Sequence, residues 1–271
     1  MPWTYSHPAA VLPFKRLCPR YLSWPALIAG SLSPDVAYHV DRFDIAAYAH
    51  TFAGSFVACL PLGMVLLLAF FAIRRPLWFM LPEPHRSALA PLVMRRPEVN
   101  MRSAVASIAG ILLGAWTHSL WDLFTHGKTW ITTRLTWLSE TWLHIGETGV
   151  RGFTVLQDAS SLGGATVLAA AYFSWLRRQS STRAGNTSGD IARYCILLGA
   201  ALLSIAMALF LAWNTAPAEP AAIRSRSVVV QAAIHGVSCF ALLLAIASLS
   251  FHYLLGRRDS YASSASWQRT P

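Results

Sequence analysis

The chain has 271 residues, of which 55% are hydrophobic and 13% charged. Soluble domains carry about 25% charged residues, so this composition points to lipid rather than water. The formal net charge of +10 comes from arginine pairs beside apolar runs, not from one continuous stripe. That placement argues against a nucleic-acid partner and fits membrane topology and anionic headgroups.

In chain order, the stretch 21–40 comes first. It is apolar but broken by Pro25, Gly30 and a Ser-Leu-Ser-Pro-Asp run, so it reads as a short, re-entrant or half-buried helix. Five later runs have the roughly 20 apolar residues that a bilayer crossing needs. They are 52–73, 104–124, 154–176, 194–213 and 228–254. The expected fold is therefore all-α: a polytopic membrane helix bundle of five transmembrane helices plus the short N-terminal segment. Residues 1–176 form a polar-decorated membrane core and 177–193, rich in Ser, Gly and Arg, a cytoplasmic linker. Residues 194–255 supply a plainer C-terminal helix pair, and 256–271 a disordered cytoplasmic tail. The four cysteines, Cys18, Cys59, Cys195 and Cys239, form no close pair and suggest neither a disulfide framework nor a thiolate site. The N-terminus lacks the layout of a signal peptide.

Arginine placement orients the set. Arg74, Arg75, Arg86, Arg95, Arg96 and Arg102 lie in 74–103, and Arg177, Arg178, Arg183 and Arg193 in 177–193. Arg257, Arg258 and Arg269 follow the last run. With alternating helices these share one side, which the positive-inside rule makes cytoplasmic, together with the C-terminus of a multi-pass inner-membrane protein. Residues 1–50 are pulled two ways. Lys15, Arg16 and Arg20 favour the cytoplasm and a sixth span, whereas the chemistry below favours an external cap.

That chemistry lies in THSLWDLFTH, where His118, Asp122 and His126 recur every four residues and fall on one helical face at the outer end of 104–124. Asp35 and His39 share a face if SPDVAYH stays helical, and His50 precedes the 52–73 helix. The predicted topology brings Asp35, His50, His118, Asp122 and His126 to one membrane surface. Imidazole with carboxylate suits zinc or manganese, and a divalent cation would neutralise carboxylates that are costly at the membrane boundary. Two other readings stay open on spacing alone: a structural polar cluster that fixes helix packing, and a proton path or transporter. Gln157 and Asp158 suit the start of a helix, and Glu140, His144 and Glu147 stand in an outer loop where they cover the site or face water. Trp130, Trp137 and Trp142 read as interfacial anchors.

The ordered motifs MPWTYSHPAAVLPFKRL, ALIAGSLSPDVAYHV, AHTFAGSFVACLPLGMVLLL, THSLWDLFTHGKTW and VLQDASSLGG resemble those of the DUF4184 family of bacterial integral membrane proteins, over about residues 1–176. The pattern is also distantly similar to the membrane-bound metal-dependent hydrolases of the YdjM type and, through them, to the all-helical zinc-dependent phospholipase C fold. The resemblance implies a metal site of His7, Asp35, His50, His118, Asp122 and His126, and His7 enters on that ground alone. The chain departs from the family where Gln-His is expected and Gln157-Asp158 stands, which leaves the helix at 154–176 without an assigned ligand. The function expected is a metal-dependent hydrolase, zinc the metal, acting on a phosphoester or lipid headgroup at the extracytoplasmic face. No catalytic side chain beyond the ligands can be named.

Overall fold

A computed structural model describes residues 3–145, 148–179, 188–215, 228–229, 231–232 and 235–250. Its helices in chain order are α1 (Pro8–Val11), α2 (Trp24–Leu32), α3 (Phe43–Ala49), α4 (Phe52–Gly54), α5 (Leu60–Phe79) and α6 (His85–Met94). They continue with α7 (Met101–Thr125), α8 (Trp130–Arg134), α9 (Thr136–Ser139), α10 (Gly152–Arg178) and α11 (Ser188–Thr215). A shorter apolar helix, α12 (His235–Ser250), follows. Tight 3-10 segments occupy Thr4–Ser6, Leu12–Leu17 and Ser33–Val40, and a π turn at Ser55–Cys59 joins α4 to α5. The one departure from helix among the described residues is an antiparallel hairpin, β1 (Thr141–Ile145) with β2 (Thr148–Arg151), in the region expected to be an outer loop.

Among the described residues, three helices are long and apolar enough to cross a membrane: Phe52–Phe79, Met101–Arg134 and Asp190–Asn214. The expected count of five is not reached, for two separate reasons. The helix at 154–176 forms, as α10, and its 27 residues are long enough. However, Gln157, Asp158, Ser160, Ser161, Gly163 and Gly164 dilute its first half. Of 228–254, only α12 and a few residues before it are described. The expected tail 256–271, residues 180–187 of the linker and Glu147 lie outside the described residues.

Two compact units partition the chain: Met1–Ala69 with Pro97–Arg178, and Phe70–Arg96 with Gln179–Pro271. In the second, Asp190 is fully buried and pairs at 3.1 Å with Arg193, whose Nε donates to the Phe79 carbonyl at the end of α5. That guanidinium satisfies a helix C-terminal carbonyl that has no partner within its own helix.

The first unit is organised by the close approach of α2 to α7. The backbone NH of Ser23 donates to the Ala106 carbonyl at 3.2 Å, and farther along the same pair the His118 ring meets the Ser31 carbonyl at 2.7 Å. The two helices therefore run side by side in the same direction. Glycines permit this. A β-carbon on Gly30 would strike the Ile111 carbonyl oxygen, and one on Gly114 the Leu27 carbonyl oxygen. One on Gly110 would crowd the Ser23 oxygen at 3.1 Å. Gly110 and Gly114 are the small-x-x-x-small pair that lets apolar helices meet backbone to backbone, where van der Waals contact replaces the hydrophobic drive that lipid cannot supply. Val11, Leu22 and Leu27 fill the seam against Leu113 and Ala109.

The same packing answers the conflict over residues 1–50. Arg102, at the start of α7, donates to the Arg20 carbonyl at 3.0 Å, while His7 and Asp35 both reach Asp122 near the other end of α7. The chain thus descends through 8–20 along α7 and returns through α2. The nine residues of α2 extend about 13 Å, well short of a bilayer, so α2 by itself is too short for a sixth span.

Because the α2–α7 contact leaves no room for a side chain, Gly114→Val is expected to destabilise the detergent-solubilised protein by about 1–3 kcal/mol, lowering its thermal unfolding midpoint. Gly163→Ala, which meets nothing within 4 Å, is the matched control and should leave the midpoint unchanged or slightly raised.

Candidate metal centre

Four segments deliver polar side chains to one point. Asp122 and His118 come from α7, one turn apart, with His118 Nε2 3.3 Å from Asp122 Oδ2. Asp35 comes from the 3-10 segment that follows α2, and its Oδ1 lies 3.5 Å from both His118 Nε2 and His50 Nε2. His50 ends α3 and sets Nε2 3.1 Å from Asp122 Oδ2. Each of these four residues offers one ligand atom, and the four atoms all lie within 4.8 Å of one another, so the cluster can hold a metal ion. His7, at the start of α1, stacks on His118 with ring centroids 3.6 Å apart and places Nε2 3.7 Å from Asp122 Oδ1.

The ring nitrogens that face away from this point are already committed. His118 Nδ1 donates to the Ser31 carbonyl at 2.7 Å and His50 Nδ1 to the Ala46 carbonyl at 2.8 Å, since a carbonyl can only accept. Both bonds fix the tautomer whose Nε2 lone pair points inward, which is how ligating histidines are oriented. Thr4 Oγ1 donates to Asp35 Oδ2 at 2.6 Å and turns the other oxygen, Oδ1, toward the cluster.

Four buried atoms then remain without a hydrogen bond: His7 Nε2, Asp35 Oδ1, His118 Nε2 and Asp122 Oδ1. Orphaned buried groups are rare because each costs about 1–3 kcal/mol, more for a charged one. Here they gather in one place. The separations of 3.3, 3.5 and 3.5 Å are long for hydrogen bonds, and together with the 3.1 Å bond between His50 and Asp122 they fit ligands sharing one ion. Two donors at ~2.0–2.1 Å from a tetrahedral zinc stand about 3.3 Å apart. Burial first, and then the neighbouring His118, push the His7 pKa down to about 3, so His7 stays neutral near neutral pH. The Asp122 carboxylate holds the His50 pKa above its ordinary value although burial opposes it, so a proton competes with any cation there.

His118 and Asp35 are essentially inaccessible, at 0% and 1%, whereas the His50 side chain is 21% and that of His126 33% exposed. The site therefore opens along its His50–His126 edge.

Not every expected residue arrives as the four-residue spacing predicts. His126 does not extend the stripe of His118 and Asp122, because α7 ends at Thr125 and His126 turns into extended backbone as its cap. Its Nδ1 donates to the Asp122 backbone carbonyl at 3.1 Å and lies 3.7 Å from Asp122 Oδ1, so it stands at the rim, outside the four-ligand group. His39 is absent from the site because 33–40 is a 3-10 segment. With three residues per turn, positions four apart no longer share a face, and His39 instead lies 6.1 Å from the Tyr5 ring. His144 belongs to β1 and Glu140 caps α9, and neither joins the ligand group. Sequence reasoning missed Thr4 and the carbonyls of Ser31 and Ala46. Backbone carbonyls carry no residue-type signal, and Thr4 was visible only as a neighbour of His7.

Thr4→Val keeps the side-chain shape but removes the bond that orients Asp35. It is expected to weaken divalent-cation affinity about 10–100-fold, measured by competition with a metallochromic chelator on the purified protein. Unchanged affinity would remove Asp35 from the ligand set.

No curated protein and no solved structure matches the chain. The family described as "Domain of unknown function (DUF4184)" matches residues 1–249, which extends the kinship past the motifs of 1–176 into the C-terminal helices. The chain belongs to the DUF4184 family.

Proposed function

We propose that this protein is a membrane-embedded, metal-dependent hydrolase that cleaves phosphoesters, lipid headgroups among them, at the extracytoplasmic face of a bacterial inner membrane. The observation that carries the reading is the convergence of orphaned nitrogen and oxygen atoms from His7, Asp35, His118 and Asp122 on one point. Oxygen and imidazole donors without sulfur favour zinc or manganese. A divalent cation there would supply Lewis acidity, lowering the pKa of a coordinated water to about 7 and polarising a phosphoryl oxygen.

The residues of the chain supply the rest. Asp35 and Asp122 would compensate the ion's charge, His50 and His118 would hold it, and Ser31, Ala46 and Thr4 keep those groups in register. In the hydrolysis itself the water oxygen bonds to phosphorus and the ester P–O bond breaks. The leaving alcohol oxygen gains the proton that the water gives up. His126, half-buried at the open edge, is the group placed to pass that proton.

Orientation follows from charge. Arg102 with Arg20 at one end of α7, and Arg177 and Arg178 at the end of α10, lie away from Asp122, so the positive-inside rule puts the centre on the outer side. With α10 and α12 counted as crossings, five spans leave the C-terminus in the cytoplasm. The headgroup as substrate fits a site opening at the end of an apolar helix. Beside it Trp137 and Trp142 stack at 5.3 Å and Arg134 covers Trp130 at 4.4 Å, aromatic and basic groups suited to the headgroup layer.

Purified protein should carry at least one equivalent of zinc or manganese by elemental analysis and hydrolyse a chromogenic phosphodiester. His118→Ala should lose the metal and at least about 100-fold in rate. If wild type holds no stoichiometric metal and Asp122→Asn leaves thermal stability unchanged, the hydrolase reading fails and the polar cluster is structural.

A further inference from the structure

The four-ligand group leaves two chemical debts outstanding. A cation bound by Asp35, His50, His118 and Asp122 takes up two of the four orphaned atoms, Asp35 Oδ1 and His118 Nε2, while Asp122 meets it through Oδ2. His7 Nε2 and Asp122 Oδ1 stay buried and unpaired. The second debt is catalytic. Four protein ligands close a tetrahedral zinc, which is the pattern of structural sites, whereas catalytic ions keep a position for water or substrate.

Both debts point to the same place. The two oxygens of Asp122 address different neighbours. Oδ2 faces His50 and His118 at 3.1 and 3.3 Å, and Oδ1 faces His7 Nε2 at 3.7 Å and His126 Nδ1 at 3.7 Å. The His7 side chain is only 2% exposed, its ring lies flat on His118, and it stands outside the four-ligand group. Buried that deeply, His7 Nε2 faces an Asp122 oxygen at 3.7 Å, and neither atom has a hydrogen-bond partner among the described residues.

We propose that Asp122 is a bridging carboxylate and that the centre takes two divalent cations. The first is held by Asp35, His50, His118 and Asp122 Oδ2, the second by His7 Nε2 and Asp122 Oδ1. Two-metal phosphoesterase sites hold their ions about 3.5–4 Å apart, and a carboxylate that gives one oxygen to each ion is compatible with that spacing. The second ion has few protein ligands and lies toward His126 and the open edge, so its remaining positions are free for water and for a phosphate oxygen. The substrate class that this arrangement fits is an anionic phosphoester able to bridge both ions. This inference rests on the metal-centre reading above and assigns the open coordination to the His7 side.

The test is cation stoichiometry and spin coupling in the full-length, detergent-solubilised protein loaded with Mn(II) alone and freed of excess. Wild type should bind two equivalents and give the broadened, exchange-coupled electron paramagnetic resonance signal of a pair. His7→Ala should bind one equivalent and give the six-line signal of an isolated ion. His7→Gln, which keeps a planar group against His118, serves as the second variant should removal of the ring unfold the protein, and it too should bind one. His118→Ala should lose the first ion. One equivalent in both wild type and the His7 variants overturns the two-cation centre and leaves the single metal site standing. No bound metal in folded wild type overturns the metal reading beneath it.

Discussion

The backbone contact between α2 and α7 is the constraint on which the first unit depends. Gly30, Gly110 and Gly114 remove the side chains that would hold the helices apart, and the Ser31 carbonyl thereby comes within 2.7 Å of the His118 ring. That single bond fixes the tautomer of a fully buried ligand. It also fixes the start of the 3-10 segment that carries Asp35, since Ser33 follows Ser31 by two residues and its hydroxyl donates back to the Gly30 carbonyl at 2.8 Å. Without the close approach, Asp35 and His118 would belong to separate surfaces. The glycines of the seam are thus as much a part of the site as its ligands.

Electrostatics explains why such a seam is worth its crowding. Asp35 and Asp122 are 1% and 6% exposed, and like charges so close resist burial. Taking an ion out of water costs several kcal/mol even after relaxation. Protonated His50 and His118 could offset two negative charges. They would leave His7 Nε2 unpaired and would use distances of 3.3 to 3.5 Å where charge-assisted hydrogen bonds prefer about 2.7–2.9 Å. A cation at the common point would account for those distances, while His7 Nε2 would still need a partner of its own.

The legibility of this centre in the sequence followed the regularity of the elements that carry it. His118 and Asp122 could be paired from spacing because α7 is a regular helix of 25 residues there. His126 obeys the same spacing but stands at the rim, because α7 stops one residue before it and no strong stop signal marks the end in sequence: Gly127 follows it, but so does a further polar run. His39 failed because Pro34 starts a 3-10 turn whose period differs from that of an α-helix. His7 had no periodic partner and could be placed only by resemblance. The helix at 152–178 was legible as a helix, yet its polar first half faces the N-terminal arm, where Ser161 accepts from the Trp3 backbone NH at 2.8 Å and Gly164 makes room for Ser6. Its dilution with Ser and Gly reflects that packing. The strands at 141–145 and 148–151 are short and lack a clean alternation of apolar and polar residues, so the sequence did not separate them from a loop.

The N-terminal arm shows why charge and chemistry gave opposite readings of residues 1–50. Charge acts through the ends of an element, and chemistry through the residues at its tip. A segment that crosses fully must give both the same answer, because its two ends lie on opposite sides. An arm that goes down and comes back is free of that requirement: Arg20 can sit with Arg102 while His7, before the descent, and Asp35, after the return, sit with Asp122. Such an arm must satisfy its backbone polar groups inside protein, since lipid offers no partners. The Arg102–Arg20 bond, the Ser23–Ala106 bond and the Ser31–His118 bond meet that demand at its bottom, along its return and at its top. The residues that anchor the arm against α7 are therefore the ones that also bring ligands from both of its ends to a single point.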